Sequence, residues 1–355
     1  MIRLLFCIVL FPLLAVGQQK HADASQIKLN LKRLNFLGSV LYMAAHPDDE
    51  NTRVIAYLVG DRLATTAYLS LTRGDGGQNL IGPEIRDQLG LIRTHELIAA
   101  RKIDGGQQFF TRANDFGFSK SATKTFQIWN KNEILSDVVR IFRQYQPDVI
   151  LTRFPPDERA GHGHHTASAM LAIEAYDVSA QASVYPDQLK VLSPWQPKRV
   201  LINTGRWWNT TINENTPGIV SLNVGTYSPL LGASFSEIAA TSRSQHKSQG
   251  FGVPSQRGDA LEFFELVRGD AAKDVFDGVN TTWSRVKGGE AVKPLVDKAI
   301  REFDLERPYL SVPILIQIRE AIRKVEPGVW RDRKLKETEQ LITDCLGLYT
   351  EVAAG

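Results

Sequence analysis

From about residue 38 the chain alternates short, almost wholly apolar runs with longer amphipathic stretches. A strand buried on both faces reads as a continuous apolar run, and a helix covering such a sheet reads as a one-sided stripe. The alternation therefore restricts the fold to βαβ units around a parallel sheet. Val40-Leu41-Tyr42-Met43-Ala44-Ala45 is the first run, Ala67-Tyr68-Leu69-Ser70-Leu71-Thr72 the second, Asp148-Val149-Ile150-Leu151-Thr152 the third and Arg199-Val200-Leu201-Ile202-Asn203 the fourth. Between them, Pro83 is placed to open a long helix with Ile85, Leu89, Ile92 and Leu97 on one face, ended by Gly105 and Gly106. A second helix is expected from Asn132 to Tyr145, stopped by Pro147, and a third after Gly163 with Ala169, Ile173 and Tyr176 on one face. The fold class predicted is α/β: a Rossmann-like three-layer αβα sandwich with a mostly parallel sheet, followed by a helical C-terminal segment.

The polar residues with chemical potential come directly after the strands. His46 follows the first run, Arg73 the second, and His162 to His165 lie shortly after the third. Ligands of open α/β sheets bind beyond the carboxyl ends of the strands, so these segments are expected to converge on one crevice.

The two ends of the chain read differently. Arg3 followed by the apolar run Leu4 to Val16 and the small-residue exit Ala15-Val16-Gly17 has the layout of a cleaved secretory signal. The run is too short for a stable bilayer span, so the expectation is an exported protein, periplasmic or extracellular, with no stable membrane span after cleavage. Cys7 falls in that segment and leaves Cys345 alone. No intramolecular disulfide and no cysteine-based metal site then remain, and any metal must be held by His and carboxylate. The net charge of +3 is small, and the C-terminal Lys and Arg are interleaved with Glu and Asp, which excludes the one-sided basic face that nucleic acid requires. Beyond residue 285 the pattern is helical (Val292 to Phe303, Ile314 to Val325, Leu335 to Leu348) and free of His. It is either a small appendage or the start of a further region. The expected division is 1–17 signal, 18–35 lead-in, 36–285 main domain and 286–355 helical extension.

Three of the seven histidines fall within four residues, His162, His164 and His165, beside Gly161 and Gly163. The other polar cluster is Ala45-His46-Pro47-Asp48-Asp49-Glu50, in which His46 and Asp49 leave a strand three residues apart and can face one point. Its acidic residues have an alternative use as helix caps.

The Ala-His-Pro-Asp-Asp-Glu run at 45–50, with the distal His-x-x-His at 162–165, resembles the PIG-L/LmbE-like deacetylase family over about residues 36 to 270. The resemblance implies removal of an acyl group from the nitrogen of an amino sugar or related substrate. It makes His46, Asp49 and His165 the ligands of one Zn2+ per chain (other divalent metals being possible), Asp48 the general base, and His162 the donor to the oxyanion or the leaving amine. The commoner second motif is His-Pro-Asp-His; here Gly163 and His164 stand instead, and His164 either takes over the aspartate's role, touching the substrate side, or faces solvent. The glycine-rich loop after Arg73 resembles the family's second loop, which makes Arg73 a substrate-binding residue. It lacks the Gly-Lys-Ser/Thr ending of a nucleotide-binding loop, and Arg93 with Glu96 is expected to buttress it as an ion pair. His246, in the polar stretch Ser242 to Gly252, reaches the pocket rim as a further substrate contact or merely ends a helix. Trp195, Trp207, Trp208 and Tyr227 are candidates for a sugar-stacking rim. The expected partner is a small-molecule or glycan substrate bearing an N-acyl group. The rival readings are a non-catalytic glycan-binding protein on the same scaffold and a metal-dependent phosphoesterase, which the single expected metal argues against.

Overall fold

The computed structural model describes residues 22–250 and 252–348; the expected signal at 1–17 lies outside the described residues. The elements in chain order are α1 (Ala24–Arg33), β1 (Ser39–Ala44), α2 (Thr52–Gly60), β2 (Thr65–Ser70), α3 (Asp87–Asp104), β3 (Gln107–Phe110), α4 (Ala122–Ile128), α5 (Lys131–Tyr145), β4 (Val149–Thr152), α6 (Gly163–Val178), β5 (Arg199–Thr204), β6 (Ile219–Asn223), the short pair β7 (Tyr227–Ser228) and β8 (Ala233–Ser234), α7 (Phe235–Arg243), β9 (Leu261–Gly269), α8 (Val292–Glu302), α9 (Val312–Arg323) and α10 (Val329–Leu346).

Seven strands form one sheet in the order β3-β2-β1-β4-β5-β9-β6. The first five run parallel, and β9 is antiparallel to both β5 and β6. The four apolar runs read from the sequence are β1, β2, β4 and β5. Strand β1 shows why they look continuous: Val40, Tyr42 and Ala44 enter one core with α2 and α7, while Leu41 and Met43 enter the other with α5 and α6. Alternate side chains leave opposite faces of a strand, and both faces are covered. Among the described residues no helix is long and apolar enough to cross a membrane.

The long helix starts later than expected, at Asp87, not Pro83. The segment before it is held as a loop by contacts outside itself: Leu80 N–H donates to Ser248 O at 2.9 Å, and the Asn79 side chain bonds Glu84 and the Ile81 N–H. Ile85 consequently lies outside the helix and 64% exposed. The far end is where the glycine pair placed it. Gly105 caps the helix at φ 78, and a Cβ there would lie 2.8 Å from Val59 Cγ1.

The C-terminal helices share a third core with the lead-in: Leu31, Leu34 and Leu37 pack with Val296, Leu315, Ile318 and Leu341. This layer is tied to the amino ends of the central strands. Arg285 Nη2 donates to Asp148 Oδ1 at 2.9 Å, Asp148 Oδ2 accepts from the Ser39 N–H at 2.9 Å, and Lys334 Nζ donates to Arg33 O at 2.8 Å. The carboxyl ends are left for the loops. Because β2 and β3 lie on one side of β1 while β4 and β5 lie on the other, the loops leaving β1 and β4 diverge at the topological switch point of the sheet. His46 leaves one of these strands, and the histidine cluster follows the other.

Candidate metal centre

The turn after β1 is closed by its own backbone. His46 N–H donates to Asp49 Oδ2 at 2.8 Å, Asp49 N–H to His46 O at 3.2 Å, and the Tyr68 hydroxyl to the same carbonyl at 2.5 Å. The following helix is capped by Asn51, whose Oδ1 accepts from the Val54 N–H, so neither Asp48 nor Asp49 is used as a cap. After β4 the chain makes a short 3-10 turn, and α6 begins at Gly163 with His162 as its N-cap. A Cβ at Gly163 would lie 2.4 Å from both Ser119 Oγ and Ser121 O, so close passage of the loop after β3 explains the glycine.

These two segments bring His46, Asp49 and His165 together, with one ligand atom from each lying within 4.8 Å of the others. His46 Nδ1 is 3.1 Å from Asp49 Oδ2, and His165 Nε2 is 3.5 Å from Asp49 Oδ1. The tautomer of His165 follows from its other nitrogen. Nδ1 meets the Ala160 carbonyl at 3.2 Å, a group that only accepts, so Nδ1 carries the hydrogen and Nε2 presents a lone pair. Phe154 stacks on the same ring at 3.7 Å and 4°, fixing its plane. An imidazole nitrogen facing a carboxylate oxygen at this distance is bridged by a proton or by a metal ion, and two imidazoles with one carboxylate form a donor set suited to a catalytic zinc with an open position.

A second triad, His46, His162 and His164, is equally tight, but its members are otherwise engaged. His162 Nδ1 accepts from the His164 N–H at 3.1 Å, and its Nε2 lies 3.3 Å from the Ser119 N–H. His164 is fully buried, stacked on Trp129 at 4.8 Å and edge-on to Phe116 at 4.3 Å. It therefore neither touches a substrate nor faces solvent, which corrects the expected substrate-binding role.

The electrostatics separate the histidines. Burial disfavours charge on His46, but Asp49, and behind it Asp115, outweigh that and raise its pKa. Burial likewise opposes the charged form of Asp49, yet His46 and His165 hold it well below the usual carboxylate range. His162 is pushed down to about 4 and His164 to about 2, in both cases by burial first and then by neighbouring histidines. The group thus pairs an ionised Asp49 with neutral His162 and His164.

Asp48 stands beside this set. Its Oδ1 is paired with Arg93 Nη2, its backbone carbonyl accepts from Arg243 Nη1, and Oδ2 lies 3.8 Å from Arg243 Nη2. Arg93 also donates to Gly74 O at 3.1 Å, which ties the glycine loop to Asp48. The expected Arg93–Glu96 pair does not form; Glu96 instead accepts from Ser248 N–H and Oγ, both at 2.6 Å. Two cavities meet at Asp48 and Asp49. One of about 300 Å³ is lined by His46, Gly76, Asp115, Phe118 and His162, and the other, of about 630 Å³, by Arg153, Phe154, Trp207, Arg243 and Glu262.

Two further expected substrate contacts lie elsewhere. Arg73 projects from the sheet edge, stacking 4.2 Å over Phe110 and donating to Thr94 Oγ1 at 3.1 Å, and it lines neither cavity. The arginine that turns inward from this region is Arg93. His246 is 3% exposed and contacts Glu50 Oε1 at 2.7 Å, in a buried network with Arg101 and Asp104 beneath the centre. Packing has drawn its imidazole to a buried carboxylate and away from any rim. Of the four candidate rim aromatics, Trp207, 58% exposed, borders the larger cavity. Trp195 donates to Pro147 O at the far end of the sheet, Tyr227 lies under Arg257, and Trp208 under Arg159. The residues missed were Arg243, Asp115 and the Ala160 carbonyl. Arg93 was expected at the glycine loop and is found there, with Asp48 as its partner where Glu96 was expected.

Residues 41–176 match the family described as PIG-L: GlcNAc-PI de-N-acetylase. A curated relative, 1D-myo-inositol 2-acetamido-2-deoxy-alpha-D-glucopyranoside deacetylase of Kineococcus radiotolerans, is 25% identical over 175 residues, covering 42% of this chain and 48% of the relative. The chain thus spans about half the length of that relative. Among solved structures, the N,N'-diacetylchitobiose deacetylase of Pyrococcus horikoshii is 19% identical with a TM-score of 0.45, covering 60% of this chain and 70% of that one. The 4-carboxy-2-hydroxymuconate hydratase of Pseudomonas putida is 16% identical with a TM-score of 0.45, covering 67% and 99%.

Proposed function

Because residues 41–176 of the chain belong to the PIG-L family, we propose that the protein is a zinc-dependent N-deacetylase, removing an acetyl or related acyl group from the nitrogen of an amino sugar or a kindred substrate. The observation that carries this reading is the convergence of His46, Asp49 and the lone pair of His165 beside a carboxylate, Asp48, that is not part of the donor set.

His46, Asp49 and His165 would hold the metal. Zinc bound there supplies Lewis acidity, polarising an amide carbonyl and making water acidic enough to attack it near neutral pH. The remaining steps belong to side chains of this chain. Asp48 lines both cavities, and with Oδ1 occupied by Arg93 its Oδ2 is left to take the proton of the attacking water. His162 is neutral and lines the smaller cavity, its Nδ1 facing the His164 N–H at 3.1 Å and its Nε2 the Ser119 N–H at 3.3 Å. A ring so reluctant to become charged is a poor acid, so Asp48 returns its proton to the leaving nitrogen. The larger cavity, with Trp207 at its edge, takes the sugar. Reading Leu4 to Val16 as an export signal puts that substrate outside the cytoplasm.

Incubation with N-acetylated amino sugars, counting acetate and free amine, tests the proposal. Equal amounts of both are expected. Saturable sugar binding without release favours the glycan-binding reading instead.

A further inference from the structure

We propose that His164 is a positioning residue of the metal centre: it accepts the Nε2–H of His46 through Nδ1 and so leaves the Nδ1 lone pair of His46 turned toward Asp49. The inference rests on the metal reading given above and assigns a task to the residue that departs from the family's commoner motif.

A neutral imidazole carries one hydrogen and one lone pair. His46 Nε2 and His164 Nδ1 are 3.1 Å apart, a contact that needs one hydrogen between them. If His46 supplies it, His46 Nδ1 is bare and points into the donor set, 3.1 Å from Asp49 Oδ2. If His164 supplies it, His46 Nδ1 keeps a hydrogen aimed at Asp49, and the site has lost a ligand. The tautomer of a buried ring that never reaches the metal thus decides whether His46 can bind one.

The surroundings of His164 suit this task. Trp129 stacks on its face, Phe116 meets it edge-on, and no part of the ring is exposed, so it cannot turn away from His46. Asp115, on the loop after β3, sets Oδ2 3.8 Å from His46 Nε2 and Oδ1 3.8 Å from His164 Nδ1, and its negative charge favours a hydrogen held between the two rings. The second nitrogen of His164, Nε2, is buried without a partner. A fold that leaves such an atom unsatisfied retains the ring for a reason other than packing. Metal-bound histidines ordinarily give their second N–H to a carboxylate or a carbonyl. His165 does so with Ala160, and His46 does so with another histidine.

Two variants and one spectrum test this. His164→Phe keeps an aromatic ring against Trp129 but removes the acceptor; His164→Asn keeps an acceptor near the position of Nδ1. By chelator competition, His164→Phe should weaken zinc binding by ~10–100-fold, as loss of an outer partner of a ligand does, while His164→Asn stays within about threefold of the parent chain. The melting temperature of the metal-free proteins, read in parallel, separates this effect from unfolding. Should His164→Phe fail to fold, nitrogen-15 NMR of the zinc-loaded parent chain decides: the account requires hydrogen on His46 Nε2 and none on His164 Nδ1. Hydrogen on His164 Nδ1, unchanged affinity in a folded His164→Phe, or equal loss in both variants would overturn it. A parent chain that takes up no zinc overturns the metal reading itself, whereas parent-like uptake by His164→Phe removes only the role given to His164.

Discussion

The Ala160 carbonyl faces Nδ1 of His165 at 3.2 Å and thereby leaves the ring's Nε2 lone pair turned toward Asp49. One backbone oxygen, five residues earlier in the chain, thus prepares a side chain as a ligand. His165→Ala should abolish stoichiometric zinc binding and, with it, turnover. Metal analysis after gel filtration checks this, and a variant retaining one zinc per chain would remove His165 from the donor set.

Asp48 is held by Arg93 and lies outside the donor set. Asp48→Asn should keep zinc while lowering kcat by about 10²–10⁴, the range for loss of a general base. Steady-state kinetics beside metal analysis separates this outcome from loss of the metal.

The two arginines of the glycine-loop region should behave oppositely. Arg73→Ala removes an exposed contact with Phe110 and Thr94 and should leave kcat/KM and stability nearly unchanged, as exposed substitutions usually do, within about 0.5 kcal/mol. Arg93→Met unpairs Asp48 and frees the glycine loop, so kcat should fall. Kinetics on the two variants side by side tests the assignment; a large loss in Arg73→Ala with none in Arg93→Met would reverse it.

His246 belongs to stability, not recognition. Its hydrogen bond to the buried Glu50 carboxylate involves a charged group, so His246→Ala should cost about 2 kcal/mol in urea denaturation, with KM unchanged. A raised KM at unaltered stability would return His246 to the substrate.

How much of this was legible in the chain follows from what each feature depends on. Strands β1, β2, β4 and β5 are covered on both faces and so wrote themselves as apolar runs. Strand β3 carries Gln107 and Gln108 at the sheet edge, β6 alternates buried with half-buried positions, and β9 is interrupted by Glu262 and Glu265 and passes from buried to half-buried along its length, so none of the three produced such a run. His46, Asp49 and His165 were readable because a motif coincides with the sheet's switch point. Their supports were not. Arg243 reaches Asp48 across 195 residues, and the Ala160 carbonyl has no side-chain signature. Arg73 and Arg93 were both placed at the glycine loop, but local sequence cannot say which guanidinium turns inward, and His246 was misplaced because its partner, Glu50, is 196 residues away.

The most direct test of the account is amine release by one preparation in three states: as purified, stripped by a chelator, and restored with zinc. The account predicts release from an N-acetylated amino sugar that disappears on stripping and returns in full at one zinc per chain. Release that survives stripping, or a stripped chain that takes up zinc at no defined ratio and gains nothing from it, would contradict the claim that His46, Asp49 and His165 hold the metal on which the reaction depends.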